Sequence, residues 1–375
     1  MTFVVNHTDC LVYLKTVADN TFDSVVTDPP YGLGFMGKNW DKALPDKEIW
    51  NECLRVLKPG GHMVVFGAPR IYHRLTCQIE DAGFEVRDCL MWLFGSGFPK
   101  SLDVNKAIEN SESAEWQGWG TALKPAYEPI LLVRKPLEGT VASNVLKWGT
   151  GGLNIDGCRV ETTESLSGGA YAKTSTERHD GNDSWRFKPG QAGEYIQPSG
   201  RWPANVILDE EAGKTLDKQT GVLYSGASKE WKGNQEHESA ALGKKRPMLK
   251  PREKDSGGAS RFFYCAKTSK SERELGLEDQ ESKTVKDGRK AKADNPRLRG
   301  ETERKNTHPT VKPISLMSWL VRLVTPQGGT VLDPFTGSGS TGCATVQEGF
   351  NFVGCELEEE YVNIAKLRIG ASDQD

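Results

Sequence analysis

The amino-acid sequence predicts an α/β fold: a doubly wound, mostly parallel sheet with a long region inserted into it. Three observations predict it. Residues 1 to about 135 alternate short apolar strand patterns with amphipathic helix patterns, and the same alternation resumes at 308. Between 148 and 305 the periodicity fades into Gly, Ser, Thr, Lys and Glu, and a connection of that length is rare inside a compact domain unless it is functional. The C-terminal piece carries only two strand patterns and is too small to bury a core alone, so its strands must complete the sheet begun by the first piece. The division is therefore 1–147, a loop-rich insert over 148–305, and 306–375.

Phe3-Val4-Val5 opens the first piece as a strand, and Phe22 to Thr27 forms a second that ends at Asp28-Pro29-Pro30, where two prolines forbid a continued ladder. Trp50, Cys53, Leu54 and Leu57 stand at helical spacing, and Pro59-Gly60-Gly61 is expected to stop that helix before a buried strand, Met63 to Phe66. Tyr72, Leu75 and Ile79 line another helical face as far as Gly83. Cys89 to Phe94 and Ile130 to Val133 then read as strands. Within the insert only Asn205 to Leu208 and Arg261 to Cys265 look like strands. After it, Pro313 suits the start of a helix whose Leu316, Met317, Leu320, Val321 and Val324 share one face. Thr330 to Asp333 is a strand, Ser340 to Glu348 a helix, Phe352 to Cys355 a strand, and Tyr361, Ile364, Ala365 and Arg368 a last helical face.

Composition excludes several classes. The 375 residues are 37% hydrophobic and 26% charged, and no apolar run approaches the roughly 20 residues a bilayer span needs. The first residues lack the basic and apolar pattern of a secretory signal, so a cytoplasmic protein without membrane partners is expected. Eight cysteines never fall as C-x-x-C and six histidines are scattered, so neither a metal site nor a disulfide framework is read. The net charge of -3 hides a basic stretch: residues 241–306 carry 19 Lys and Arg against 11 Asp and Glu. Such a stretch suits an anionic polymer, although a solvated loop accounts for it equally well when taken alone.

Two motifs carry chemistry. In Val331 to Thr341 a strand runs into a glycine-rich turn at a helix start, where backbone can approach a ligand closely, and Glu356 ends the next strand where doubly wound folds keep an acid for ribose hydroxyls. A nucleoside site follows. The Gly-Lys-Ser/Thr of a P-loop is missing, but Gly337, Gly339 and Gly342 nominally satisfy G-x-G-x-x-G, so on these residues alone a nicotinamide enzyme stays open. The second motif is Asp28-Pro29-Pro30-Tyr31. Its prolines hold a rigid turn, the Asp28 carboxylate and the Pro29 carbonyl offer paired acceptors for an exocyclic amino group, and Tyr31 offers a face for stacking a base. A capped tight turn would account for an isolated Asp-Pro-Pro, but less well for one paired with a nucleoside site.

With these motifs, and with His308-Pro309-Thr310-Val311-Lys312-Pro313 before the glycine turn, the chain resembles the permuted β group of amino DNA methyltransferases, which act on adenine N6 or cytosine N4. The resemblance covers about 1–135 and 306–370. It implies a methyltransferase fold in circularly permuted order, with 148–305 as target-recognition region. It implies S-adenosylmethionine as cofactor, cradled by Asp333, Phe335, Gly337 and Gly339, with Glu356 on the ribose, Asp9 at the adenine amino group and Thr310, Lys312 and Pro313 by the methionine part. Asp28, Pro29, Pro30 and Tyr31 would hold a base flipped out of double-stranded DNA while its amino nitrogen attacks the methyl group directly, without a cysteine nucleophile.

Adenine is favoured because the family's cytosine members usually begin the motif with serine; cytosine N4 is the alternative. RNA methylation and a non-catalytic DNA-binding role are remoter ones. Lys244, Lys245, Arg246, Arg297 and Arg299 are the candidates for phosphate contacts. Phe35 and Trp40 could cover the flipped base or pack their own loop, and His308 reads as structural or backbone-binding. The aromatics between 185 and 231 read better as a small core for the insert than as base-stacking groups. A homodimer and a cognate restriction endonuclease are further partners consistent with the resemblance.

Overall fold

Phe22–Thr27 is buried at every position, which suits an apolar strand covered on both faces. In the computed structural model it lies near the middle of the main sheet. The structure describes residues 2–34, 39–97, 99, 101–108, 111–162, 164, 166, 198–225, 255–267, 271–286 and 301–373.

Among the described residues the main sheet has nine strands: β1 (Phe3–His7), β2 (Phe22–Thr27), β3 (Leu57–Phe66), β4 (Glu85–Leu93), β5 (Tyr127–Arg134), β6 (Val206–Asp209), β7 (Tyr264–Ala266), β8 (Thr330–Asp333) and β9 (Asn351–Glu356). Their spatial order is β1-β9-β8-β2-β3-β5-β4-β6-β7. Every neighbouring pair is parallel except β3 with β5 and β4 with β5, so β5 alone runs against the rest. The two C-terminal strands lie between β1 and β2, which completes the sheet as the small size of their segment required.

Alternation along the strands sends side chains into two cores. Val26, Val64, Phe66 and Val331 face one, with α7 (Ile314–Val324) and α8 (Ser340–Gln347). Val25, Met63, Val65 and Leu332 face the other, with α2 (Lys47–Val56) and α3 (Tyr72–Asp81). This period-two split is what a sheet covered on both faces demands. The remaining α-helices among the described residues are α1 (Cys10–Leu14), α4 (Val104–Ala107), α5 (Val141–Trp148), α6 (Glu210–Thr220) and α9 (Glu359–Ser372).

Two expectations change. Pro59-Gly60-Gly61 does not stop α2, which ends at Val56; the three residues lie inside β3, at an irregularity where pairing with β2 jumps from Leu57 opposite Phe22 to His62 opposite Ser24. The two strands recognised inside 148–305 do not belong to a separate module. They are β6 and β7, and they extend the main sheet from β4, with Ala259–Phe262 forming a 3₁₀ turn before β7.

The parallel arrangement brings the carboxyl ends of β1, β9, β8, β2 and β3 to one edge. Because β5 is antiparallel, its first residues arrive at that same edge: Phe66 pairs with Ile130, two residues after Glu128. The order in which strands are added reverses between β8 and β2, since β9 follows β8 on one side and β3 follows β2 on the other, the kind of switch point at which open α/β sheets bind ligands.

Candidate active site

A cavity of about 1320 Å³ opens at this edge. One wall is the turn after β8. The Asp333 carboxylate is buried and accepts hydrogen bonds from the Thr27 hydroxyl at 2.6 Å and the Phe335 amide at 3.1 Å, tying the end of β8 to that of β2. Burial pushes its pKa up to about 6. Gly337 and Gly339 take φ of +53° and +83°, where a side chain would be strained. A Cβ would also stand 2.9 Å from Nε2 of His308 at Gly337, and 3.0 Å from the Ala365 backbone at Gly339.

Glu356 closes this wall from β9. Its carboxylate accepts from the amides of Gly337 at 2.8 Å and of Leu357 and Glu358 at 2.9 Å each, while burial raises its pKa. Behind the turn, the buried Arg368 guanidinium donates to the Ser338 carbonyl at 2.5 Å and the Glu272 carbonyl at 2.9 Å. Asp9 lines the cavity and caps α1, its Oδ1 accepting from the Leu11 and Val12 amides. His308 lies nearly parallel to Trp40 with ring centroids 6.2 Å apart and meets Tyr361 edge-on at 4.6 Å. Burial lowers its pKa to about 4, so the ring is neutral at pH 7.

The opposite wall is the turn after β2. The Tyr31 hydroxyl donates to Oδ1 of Asp28 at 2.7 Å and lies 3.2 Å from Oε2 of Glu128. The Lys312 ammonium, almost fully buried, reaches Oδ2 of Asp28 at 2.8 Å, Oε2 of Glu128 at 3.2 Å and the Tyr31 hydroxyl oxygen at 3.2 Å. It also lies 4.8 Å from the Phe66 ring centroid. Burial works against the Lys312 charge, but the two carboxylates outweigh it and its pKa stands above the ordinary value. Burial and the same carboxylates raise the Tyr31 phenol well above its usual range. Asp41, itself buried, holds the backbone of this turn by accepting from the amides of Tyr31 at 2.7 Å, Gly32 at 2.9 Å and Leu33 at 3.3 Å.

Of the residues named from the sequence, Asp9, Asp28, Pro29, Pro30, Tyr31, Thr310, Lys312, Asp333, Phe335, Gly337 and Glu356 line this one cavity. Gly339 is not in its wall and packs on Ala365 instead. Pro313 caps α7 and lines a neighbouring cavity. Lys312 stands against the Asp28 turn. Trp40 lies in the cavity wall; Phe35, Lys244, Lys245, Arg246, Arg297 and Arg299 lie outside the described residues. Glu128 and Asp41 were missed by sequence reasoning. Among the described residues no group of three His, Cys, Asp or Glu side chains gathers as a metal set.

The chain matches the N6/N4 DNA methylase family over residues 22–367. It is similar to the type II methyltransferase M.HindIII of Haemophilus influenzae, 26% identical over 198 residues that make up 40% of this chain and 64% of the relative. It is also similar to the type II methyltransferase M2.DpnII of Streptococcus pneumoniae, 40% identical over 67 residues, or 18% of this chain and 25% of the relative. The matched stretches thus span less than two thirds of either relative. Among solved structures, an M1.HpyAVI complex with SAM aligns over 98% of this chain and 100% of its own, with 17% identity and a TM-score of 0.42. The cytosine-N4-specific PvuII DNA methyltransferase aligns over 98% and 86%, with 14% identity and a TM-score of 0.47. The family match runs through both walls of the cavity, from β2 to α9, and the chain belongs to the N6/N4 DNA methylase family.

Proposed function

We propose that this chain moves a methyl group from S-adenosylmethionine to the exocyclic N6 of an adenine flipped out of double-stranded DNA. The observation that carries the reading is the meeting, across one cavity, of the Asp333–Glu356 wall and the Asp28–Tyr31 wall, at neighbouring ends of β8 and β2. The cavity exceeds the roughly 300–1,000 Å³ of an ordinary small-molecule pocket, which suits two ligands placed face to face.

The chemistry of the first wall fits the cofactor. Asp9, Asp333, Glu356 and Glu358 line it, so a pyrophosphate would face carboxylates, whereas ribose hydroxyls and a sulfonium cation are welcome. This argues against a nicotinamide dinucleotide. Asp9, Asp333, Phe335, Gly337 and Glu356 would hold S-adenosylmethionine, which when bound supplies a methyl group activated on positive sulfur.

The second wall would hold the base. Tyr31 offers a stacking face, which helps recover the few kcal/mol that flipping costs, and Asp28 accepts hydrogen bonds from the amino group and orients its lone pair. Lys312 fixes the Asp28 carboxylate while leaving it lone pairs for the substrate. Cys10 lines the cavity, but burial pushes its thiol up to about 12, so it offers no thiolate and the amino nitrogen attacks directly. Asp28 in place of the serine usual among cytosine-acting members supports adenine. Such a reaction takes place in the cytoplasm, where DNA and cofactor meet; among the described residues no helix is long and apolar enough to cross a membrane.

The test incubates the protein with S-adenosylmethionine and unmethylated duplex DNA, digests the DNA to nucleosides and identifies the methylated base by mass spectrometry. N6-methyladenine is expected. N4-methylcytosine would overturn the choice of base, and the absence of any methylated nucleoside would overturn the reading.

A further inference from the structure

Methyl transfer leaves the attacking nitrogen with one hydrogen too many. Its lone pair forms the new N–C bond, the electrons of the broken S–C bond return to sulfur, and an N–H proton must leave a cavity walled by cofactor and DNA. In the function proposed above, the Asp28 carboxylate accepts from that nitrogen. What lies behind Asp28 decides where the proton goes next.

The Tyr31 hydroxyl has one hydrogen and two carboxylate oxygens within reach, Oδ1 of Asp28 at 2.7 Å and Oε2 of Glu128 at 3.2 Å. That hydrogen therefore has two positions, one toward the reaction and one away from it. Lys312 cannot replace it as a carrier: its ammonium has no lone pair, and its three acceptors at 2.8, 3.2 and 3.2 Å occupy its three hydrogens. Glu128, with Phe94 and Lys312, lines both the main cavity and a second one of about 630 Å³, so it stands between them. Asp209, Glu210, Glu211 and Lys214 line the second cavity at the start of α6, and Glu272 and Arg273 line it from the 3₁₀ turn Ser271–Arg273 that follows β7.

We infer that Glu128 is the exit for the reaction's proton: Asp28 takes it from the substrate nitrogen, Tyr31 accepts it from Asp28 while handing its own hydrogen to Glu128, and Glu128 releases it to water in the second cavity. No further reactant is required, because the sum is one methyl group gained and one proton lost by the base. Glu128 acts through Tyr31 and does not touch the reacting atoms. The inference rests on the function proposed above.

Glu128→Gln keeps an oxygen for Tyr31 and Lys312 but cannot take up the proton. The expected result is a methyl-transfer rate in a single turnover lowered about 100-fold, with melting temperature and calorimetric affinity for S-adenosylmethionine unchanged. Glu128→Ala leaves room for a small carboxylate, so added formate should restore its rate, which a merely structural role of Glu128 would not allow. A Glu128→Gln rate within about twofold of wild type, or a Glu128→Ala variant that formate does not rescue, overturns the proton exit while leaving the proposed function standing. A wild-type protein that methylates no base overturns both.

Discussion

The two walls of the cavity are built by different physics. The turn after β8 is held by its own backbone: positive-φ glycines, a carboxylate from β9 that gathers three amides, and a buried guanidinium on a carbonyl. The turn after β2 is held by side-chain charge, with Asp28, Glu128 and Lys312 converging on Tyr31 from three distant parts of the chain. A wall made of backbone suits a ligand that is the same in every turnover. A wall made of mutually compensating charges can give up a hydrogen bond to an arriving amino group and take it back. Substitutions that strike one wall should therefore spare the other.

The largest effect is expected at Lys312. Lys312→Met leaves Asp28 and Glu128 facing each other without their cation, and removing one partner of such a buried pair costs about 3 kcal/mol, measurable by urea unfolding. Methyl transfer should collapse while affinity for S-adenosylmethionine holds. A matching loss of cofactor affinity would move Lys312 to the other wall, where the family resemblance placed it.

Gly339→Ala strikes the turn behind the backbone wall, where Gly339 packs on Ala365. The left-handed backbone and the contact with Ala365 together cost about 2 kcal/mol, and cofactor binding by calorimetry should weaken. The charged wall should survive, with Tyr31 and Lys312 still engaged.

Asp333→Asn separates charge from shape at the junction of the walls. A carboxyl whose pKa is raised by burial to about 6, against 3.8 for the free group, binds its proton more tightly in the folded chain. Stability conferred by that proton is lost as pH rises between those values. The variant should thus gain on the order of 3 kcal/mol over wild type above pH 6, and the gain should vanish toward pH 4. Thermal melting across that range checks the sign.

Asp9→Ala is the smallest change. Loss of the cap on α1 costs about 1 kcal/mol. If Asp9 also meets the cofactor, affinity falls about fivefold, the worth of one hydrogen bond; an unchanged affinity would leave it a cap alone.

The same contrast explains what the sequence disclosed. Phe22 to Thr27 and Thr330 to Asp333 announce themselves by apolar runs closed by prolines or glycines, and the backbone wall follows from residues close to one another in the chain. The charged wall does not. Glu128 reaches the site only because β5 runs antiparallel, and nothing in its own apolar run states a direction. A carboxylate between Tyr127 and Pro129 at a strand's start was the available signal. Asp41 follows Tyr31 by ten residues through a loop without periodicity, so its grip on three amides could not be read. β6 and β7 were visible as short strands, but runs of four and three residues cannot say which sheet they join.

The separateness of the walls is tested most directly by Asp28→Ala, with S-adenosylmethionine affinity and methyl transfer to duplex DNA measured on the same preparation. Affinity within about threefold of wild type, together with transfer lowered about 1,000-fold, is the expected result. A parallel loss of both, or transfer that survives the substitution, would contradict an acceptor wall that works on the base alone.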